Sequence, residues 1–354
     1  MHYKLLTPLL AMLLSVFLVG CISAVSPTQH PEDPCSSIPQ GKISFPKDEF
    51  PHSEPIEWYY WTGHLKTEEE RWFGYELVFF VLDLRGQEGL MSNSAIKGMV
   101  EKLGGKVLVF NHAITDIDAG NFHYTGGFAL RTASQSDKPL RFEINGSSTL
   151  LDSGNDTLHG EVDDYVIDLN LDSVKAPVLQ HGDGYHEYSF GGYTYYYSRE
   201  RINTTGTITI DGVAHAVEGT SWFDHQWGQM GSVIDVGWDW FSIQLEDNRE
   251  IMLFTVNADN QMVLVGGSLA SSDCLVTEIA PKDMEITVLG TWNSPHTNKT
   301  YPSGWRIWVD DIDMTVTPVM EDQELGSSYM TYWEGACEVS GDVIGRAYVE
   351  LTGY

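Results

Sequence analysis

The sequence predicts an all-β protein of two consecutive antiparallel β-barrels, and three observations carry that reading. Apolar residues alternate at the strand period: Ile167, Leu169 and Leu171 against Asp168, Asn170 and Asp172, and Phe241, Ile243 and Leu245 against Ser242, Gln244 and Glu246. Helical periodicity is scarce, confined to residues 95–103, where Gly98 weakens it. Gly, Asn and Asp turns separate the candidate strands at short intervals, about eight before residues 228–236 and about eight after them. A body of this length suits two such barrels better than one.

The N-terminus predicts the compartment. Lys4 precedes an apolar run over residues 5–20, too short for a comfortable membrane span and typical of a signal peptide. The run ends in Leu18-Val19-Gly20-Cys21, the form of a lipobox, so Cys21 is the expected site of lipidation. The tether that follows carries Pro27, Pro31, Pro34 and Pro39, which keep it extended. The expected organisation is a signal peptide over 1–20 and a lipidated tether over 21–44. One barrel domain follows over 45–229 and a second over 230–354. The expected location is outside the cytoplasm, on the cell surface or periplasmic side, with the lipid anchor in the membrane.

Composition restricts the partners. With 20 Lys+Arg against 50 Asp+Glu, the formal net charge is −30, which repels phosphate backbones and excludes nucleic acid as a partner. The 17 Tyr, 14 Phe and 11 Trp suit barrel interiors and apolar ligand pockets. Beyond Cys21, the cysteines Cys35, Cys274 and Cys337 are odd in number and lack metal-ligand spacing. One disulfide suits an oxidising compartment, and the sequence does not choose its pair. Sequons at Asn145, Asn155, Asn203 and Asn298 are potential glycosylation sites. No zinc-protease, paired-cysteine or phosphate-loop motif is present, so no metal or cofactor is expected. His181, Asp183 and His186 read as a glycine-rich turn rather than as ligands. Gly219-Thr220-Ser221-Trp222-Phe223 lacks the final glycine of a nucleophile elbow.

Several segments are too unusual for generic strands. They are Glu57-Trp58-Tyr59-Tyr60-Trp61, then Phe73–Phe80 with apolar residues on both faces, and Asn111-His112-Ala113-Ile114-Thr115-Asp116. Tyr195-Tyr196-Tyr197-Ser198-Arg199 follows, then Trp222-Phe223-Asp224-His225-Gln226-Trp227-Gly228 and Gly237-Trp238-Asp239-Trp240-Phe241. Tyr332-Trp333-Glu334-Gly335 and the block from Gly345 to Tyr354 close the chain. In this order, from about residue 45 onward, the blocks resemble the AttH-like family, which includes the carotenoid 1,2-hydratases (CrtC) and proteins labelled secreted hydrolases. The resemblance implies two lipocalin-like domains and an apolar small-molecule site. It implies an acid at Asp239, with His225 and Trp227 nearby. Gly237 stands where the hydratases carry a tyrosine.

Hydrating an alkene requires a proton donor, and a carboxyl lodged among indoles retains its proton near neutrality. The expectation is therefore a hydratase or isomerase acting on an isoprenoid or similar lipid at an interdomain aromatic pocket. Asp239 is the expected acid and His225 its helper. The expected ligand-binding residues are Trp58, Tyr60, Tyr75, His112, Tyr197, Trp227, Trp238 and Trp240. The rival expectation is a lipocalin-like carrier that binds a lipid without chemistry. The hydrolase label has no visible nucleophile behind it.

Overall fold

The computed structural model describes residues 35–84, 105–129, 140–189, 191–230, 237–258, 261–326 and 331–354. The expected signal peptide, Cys21 and the weak helical stretch at 95–103 lie outside these residues. Strand is the dominant regular structure of the described residues, with helix confined to short 3-10 segments.

The first sheet has twelve strands. They are β1 (Ile56–Thr67), β2 (Trp72–Asp83), β3 (Lys106–Asp116), β4 (Asn121–Ala129), β5 (Leu140–Ile144) and β6 (Ser147–Leu151). Then come β7 (Asn155–Val162), β8 (Tyr165–Ser173), β9 (Val178–Leu179), β10 (Tyr185–Glu187), β11 (Tyr193–Ile210) and β12 (Val213–Gln229). The main path runs β4-β3-β2-β1-β12-β11-β8-β7-β6-β5, and its end strands β4 and β5 approach one another, so the sheet nearly closes.

The second sheet has ten strands along β16-β15-β14-β13-β24-β23-β21-β20-β17, with β22 on β23. Its members begin with β13 (Trp238–Leu245), β14 (Glu250–Ala258), β15 (Gln261–Ala270), β16 (Val276–Ile279) and β17 (Met284–Val288). A separate two-stranded ribbon pairs β18 (Thr291–Asn293) with β19 (Thr300–Pro302). The sheet resumes with β20 (Trp305–Val309), β21 (Ile312–Pro318), β22 (Glu324–Gly326), β23 (Thr331–Gly341) and β24 (Gly345–Leu351). A 3-10 turn at Pro281–Asp283 joins the end strands β16 and β17. The fold is thus two lipocalin-like barrels, each with more strands than the eight expected, because short edge segments such as β9, β10 and β22 add to the main ladders.

The three largest apolar clusters among the described residues explain the composition. One fills the first barrel, around Trp61, Phe79, Phe110 and Tyr197, and another fills the second, around Phe241, Trp305 and Trp333. The third lies in the seam between them, around Tyr60, Tyr196, Trp222, Trp240 and Tyr348. Strands at the seam bury both faces. Along β2, Phe73, Tyr75, Leu77 and Phe79 point into the first barrel, while Val78 and Phe80 belong to the seam. This is why that strand reads as a nearly continuous apolar run instead of a clean alternation. By contrast, β8 shows buried and exposed residues in turn, as its sequence predicts.

The disulfide is Cys35–Cys274, linking the segment before β1 to the turn between β15 and β16; Cys337 is buried and free. Closing a loop of 239 residues restricts the unfolded chain strongly. Cys35→Ser is expected to cost about 2–4 kcal/mol in denaturant unfolding; an unchanged midpoint would show that the bond does not stabilise the fold.

Candidate functional site: the aromatic pocket at the seam

Strand alternation decides which side chains meet at the seam. On β12, Trp222, Asp224 and Gln226 point to it, while Phe223, His225 and Trp227 point into the first barrel. On β13, Trp238 and Trp240 face it. Register then brings the neighbours together: Tyr60 of β1 lies opposite Asp224, Ser198 of β11 lies opposite the same residue, and Glu350 of β24 lies opposite Trp240. The resulting cavity has a free volume of about 60 Å³. That holds a few waters or the tip of an apolar molecule. Trp58, Tyr60, Trp238 and Trp240 form much of its wall, with Asp224 and Glu350 as its carboxyl groups.

Both carboxyl groups are held by donors. Trp222 Nε1 donates to Asp224 Oδ1 at 2.7 Å, and the Tyr196 hydroxyl donates to Oδ2. Trp240 Nε1 in turn donates to the Tyr196 oxygen at 3.0 Å. Trp238 Nε1 donates to Glu350 Oε2 at 2.9 Å. Burial pushes Asp224 up to about 7, although hydrogen bonds from Ser198, Tyr196 and Trp222 pull the other way. Glu350 is pushed up to about 7 by burial, with the Asp224 charge adding to it and the Trp238 bond opposing. Behind the pocket, the Tyr60 hydroxyl donates to Glu334 and the Tyr332 hydroxyl to Glu76 at 3.1 Å. Burial raises Glu76 to about 8 and also raises Glu334 well above the usual carboxylate range, with the Glu76 and Glu350 charges adding to it. The site is therefore a water-poor aromatic chamber whose carboxyls hold protons close to neutral pH, which suits proton donation.

The profile of the AttH-like family matches residues 37–354. The chain belongs to the AttH-like family. Among solved structures, it is similar to a protein described as an AttH from Nitrosomonas europaea, at 24% identity and a TM-score of 0.77, covering 90% of this chain and 98% of that one. It is also similar to kievitone hydratase from Nectria haematococca, at 17% identity and a TM-score of 0.70, covering 90% and 96%. At these identities the likeness shows the fold. No curated protein sequence matches the chain.

This AttH-like chain gathers four of the expected ligand-binding residues, Trp58, Tyr60, Trp238 and Trp240, at one cavity. The others go elsewhere. Tyr75, Tyr197 and Trp227 belong to the core of the first barrel, and His112 is buried there with Nδ1 on the Glu76 carbonyl at 2.8 Å. Asp239 is also placed differently from the expectation. It sits between Trp238 and Trp240 in sequence, but in a strand its side chain points to the opposite face. It is fully buried on the second-barrel side, where the Tyr354 hydroxyl donates to it at 2.7 Å. Asp224 and Glu350 take the place at the pocket that Asp239 was expected to fill. Gly237, where the resemblance led to the expectation of a tyrosine, has φ +81°, and a Cβ there would lie 2.5 Å from the Thr352 carbonyl oxygen.

His225 helps to build an anchor inside the first barrel. Glu57 Oε1 accepts from His225 Nε2 at 2.8 Å, His52 Nδ1 at 2.9 Å and the Tyr59 hydroxyl at 3.0 Å. Burial opposes the charge of Glu57, but the bonds from His225 and His52 outweigh it and lower the carboxyl to about 2. The same atoms are close enough to share a cation. A cation on His225 Nε2 would move its proton to Nδ1, which is buried with no acceptor among the described residues. Metal-bound histidines ordinarily have an acceptor at that position. The arrangement fits hydrogen bonding better than metal binding.

Proposed function

We propose that this AttH-like protein is a hydratase-type enzyme that adds water across an alkene in an apolar, isoprenoid-like molecule, or removes it in reverse. The observation that carries the reading is a pair of buried carboxyls, Asp224 and Glu350, in an aromatic cavity, where burial pushes both up to about 7. Asp224 gives its proton to one alkene carbon, forming a C–H bond and leaving a tertiary cation on the other. The surrounding indole and phenol faces steady that cation. Water then attacks it, forming the C–O bond, and its spare proton returns to the carboxylate. Trp222 and Tyr196 already donate to Asp224, so they support the anion as it forms. Loss of a different proton from the cation would give an isomerised alkene instead. The likeness to kievitone hydratase supports the reaction class.

The reading extends to location: the lipobox at Cys21 and the proline-rich tether support an exported protein held at a membrane that would supply an apolar substrate. The test is incubation with terminal-alkene isoprenoids in isotopically labelled water. Labelled alcohol is the expected product. No label from any alkene that binds the pocket would overturn the proposal.

A further inference from the structure

The seam between the barrels has a second opening. His64 lies six residues along β1 from Trp58, roughly 20 Å at the rise of a strand. There a cleft of about 780 Å³ opens, walled by β1, β11, β12, β13 and β24 through His64, Arg201, Thr220, Gln244 and Arg346. Trp222, Ser242 and Tyr348 lie between this cleft and the aromatic pocket, around a space of only about 10 Å³. The two cavities are therefore separate, and the cleft has no part in the chemistry proposed above.

Most polar groups of the wall have partners. Arg201 pairs with Glu250 and donates to the Leu245 carbonyl at 2.9 Å. Gln244 donates to the carbonyls of Glu200 and Ser221 and accepts from Thr220. Lys66 meets Glu70 at 3.1 Å.

Two groups differ. The Arg346 guanidinium lies 3.5 Å from the centroid of the Trp72 ring. Its Nη1 is buried with no acceptor, and among the described residues no carboxylate comes within 4 Å of it. His64 is 3% exposed, and its Nε2 is also buried without a partner. An aromatic face attracts a cation but does not replace a hydrogen-bond acceptor. Burial, and then the nearby Arg346 charge, lowers His64 to about 3 and keeps the ring neutral. A neutral imidazole still has one N–H to give.

We infer that this end of the seam binds a single oxyanion group, a carboxylate or a phosphate, through Arg346 Nη1 and His64 Nε2. An anion between them supplies the hydrogen-bond acceptor that each lacks, which the more distant charges of Glu338, Glu246 and Asp118 do not. The cleft is also lined by Glu218, Glu246 and Glu338, with Glu338 opposite Arg346 across the β23–β24 ladder, which disfavours a polyanion.

The experiment is a thermal-unfolding titration of the protein with inorganic phosphate, and separately with acetate, at ionic strength held constant with chloride. A saturable rise in melting temperature is expected with at least one probe. A response to phosphate alone assigns a tetrahedral anion, and to acetate alone a carboxylate. Arg346→Met is expected to weaken the apparent affinity by about tenfold or more. His64→Phe should weaken it too, whereas His64→Gln, which retains a donor, should keep it within a few fold of the parent. Asp224→Asn should leave the titration unchanged, which separates this site from the pocket. Should Arg346→Met fail to fold, the two His64 variants decide. A non-saturating response to both probes, or a titration indifferent to the loss of the donor in His64→Phe, would overturn the inference.

Discussion

Asp224→Asn is expected to lower hydration turnover by about 10²–10⁴-fold, the usual contribution of a positioned general acid. Asparagine has the same shape, and its carbonyl oxygen can still accept from Trp222, so the pocket and its affinity for an apolar ligand should survive. What is lost is the acidic proton. In the parent protein, turnover should also decline as the pH rises above about 7, where burial has set the Asp224 carboxyl. Glu350→Gln should have a smaller effect, because Glu350 is held by Trp238 alone among the indoles while Asp224 is gripped by both Trp222 and Tyr196. Asp239→Asn is the informative control. Its side chain lies on the far face of β13 against Tyr354, so the substitution should change stability more than turnover. Full turnover in Asp224→Asn together with its loss in Asp239→Asn would return the acid role to Asp239.

That contrast shows what was legible in the sequence and what was not. The barrels were readable because a strand buried on one face alternates, and a strand at the seam reads as continuous apolar sequence; β8 and β2 show the two cases. The aromatic character of the site was also readable, since Trp58, Tyr60, Trp238 and Trp240 stand out in composition and do line the cavity. The proposed acid was harder to place. Asp239 drew attention through its two tryptophan neighbours, yet strand geometry sends adjacent side chains to opposite faces. The same rule applied to β12 groups Asp224 with Trp222 and Gln226, and separates it from His225, so a local signal for Asp224 was present. Glu350 had no such signal. It reaches the pocket only because β24 pairs with β13 and places it opposite Trp240, a long-range pairing that no local pattern encodes. His225 and Trp227 follow the same rule as Asp239: their segment is unusual, and its odd-numbered side chains lie in the interior of the first barrel, away from the seam cavity. The disulfide partner of Cys35 likewise depended on how the barrels pack.

The protein is expected to lose thermal stability as the pH rises from 7 to 8.5. Burial raises Glu76 and Glu200 to about 8, raises Asp224 and Glu350 to about 7, and raises Glu334 well above the usual carboxylate range. In the unfolded chain these carboxyls have lost their protons by pH 7, whereas the folded chain still holds several. The unfolded state therefore binds fewer protons, and stability must fall with rising pH. The slope is roughly 1.4 kcal/mol per pH unit for each carboxyl protonated only in the fold, and it fades as pH passes the folded value. Histidines act in the other direction at lower pH. Burial lowers His64 and His181 to about 3 and His112 and His225 to about 4, so below 6.5 the unfolded chain gains protons that the fold refuses. Above pH 7 the carboxyls act in the same direction as His159, where burial is outweighed by Asp168 and Glu161, which raise it, and they meet opposition below 6.5. The measurement is the melting temperature at pH 7 and 8.5 in the parent and in Glu200→Gln. Glu200 accepts from Gln180 and Ser268 through Oε1, a role that the glutamine oxygen retains. The variant should show a shallower fall, because one titrating group is gone. A melting temperature that is flat or rises over this range would mean that these carboxyls are already ionised in the fold, and would remove the physical basis for proton donation from the seam.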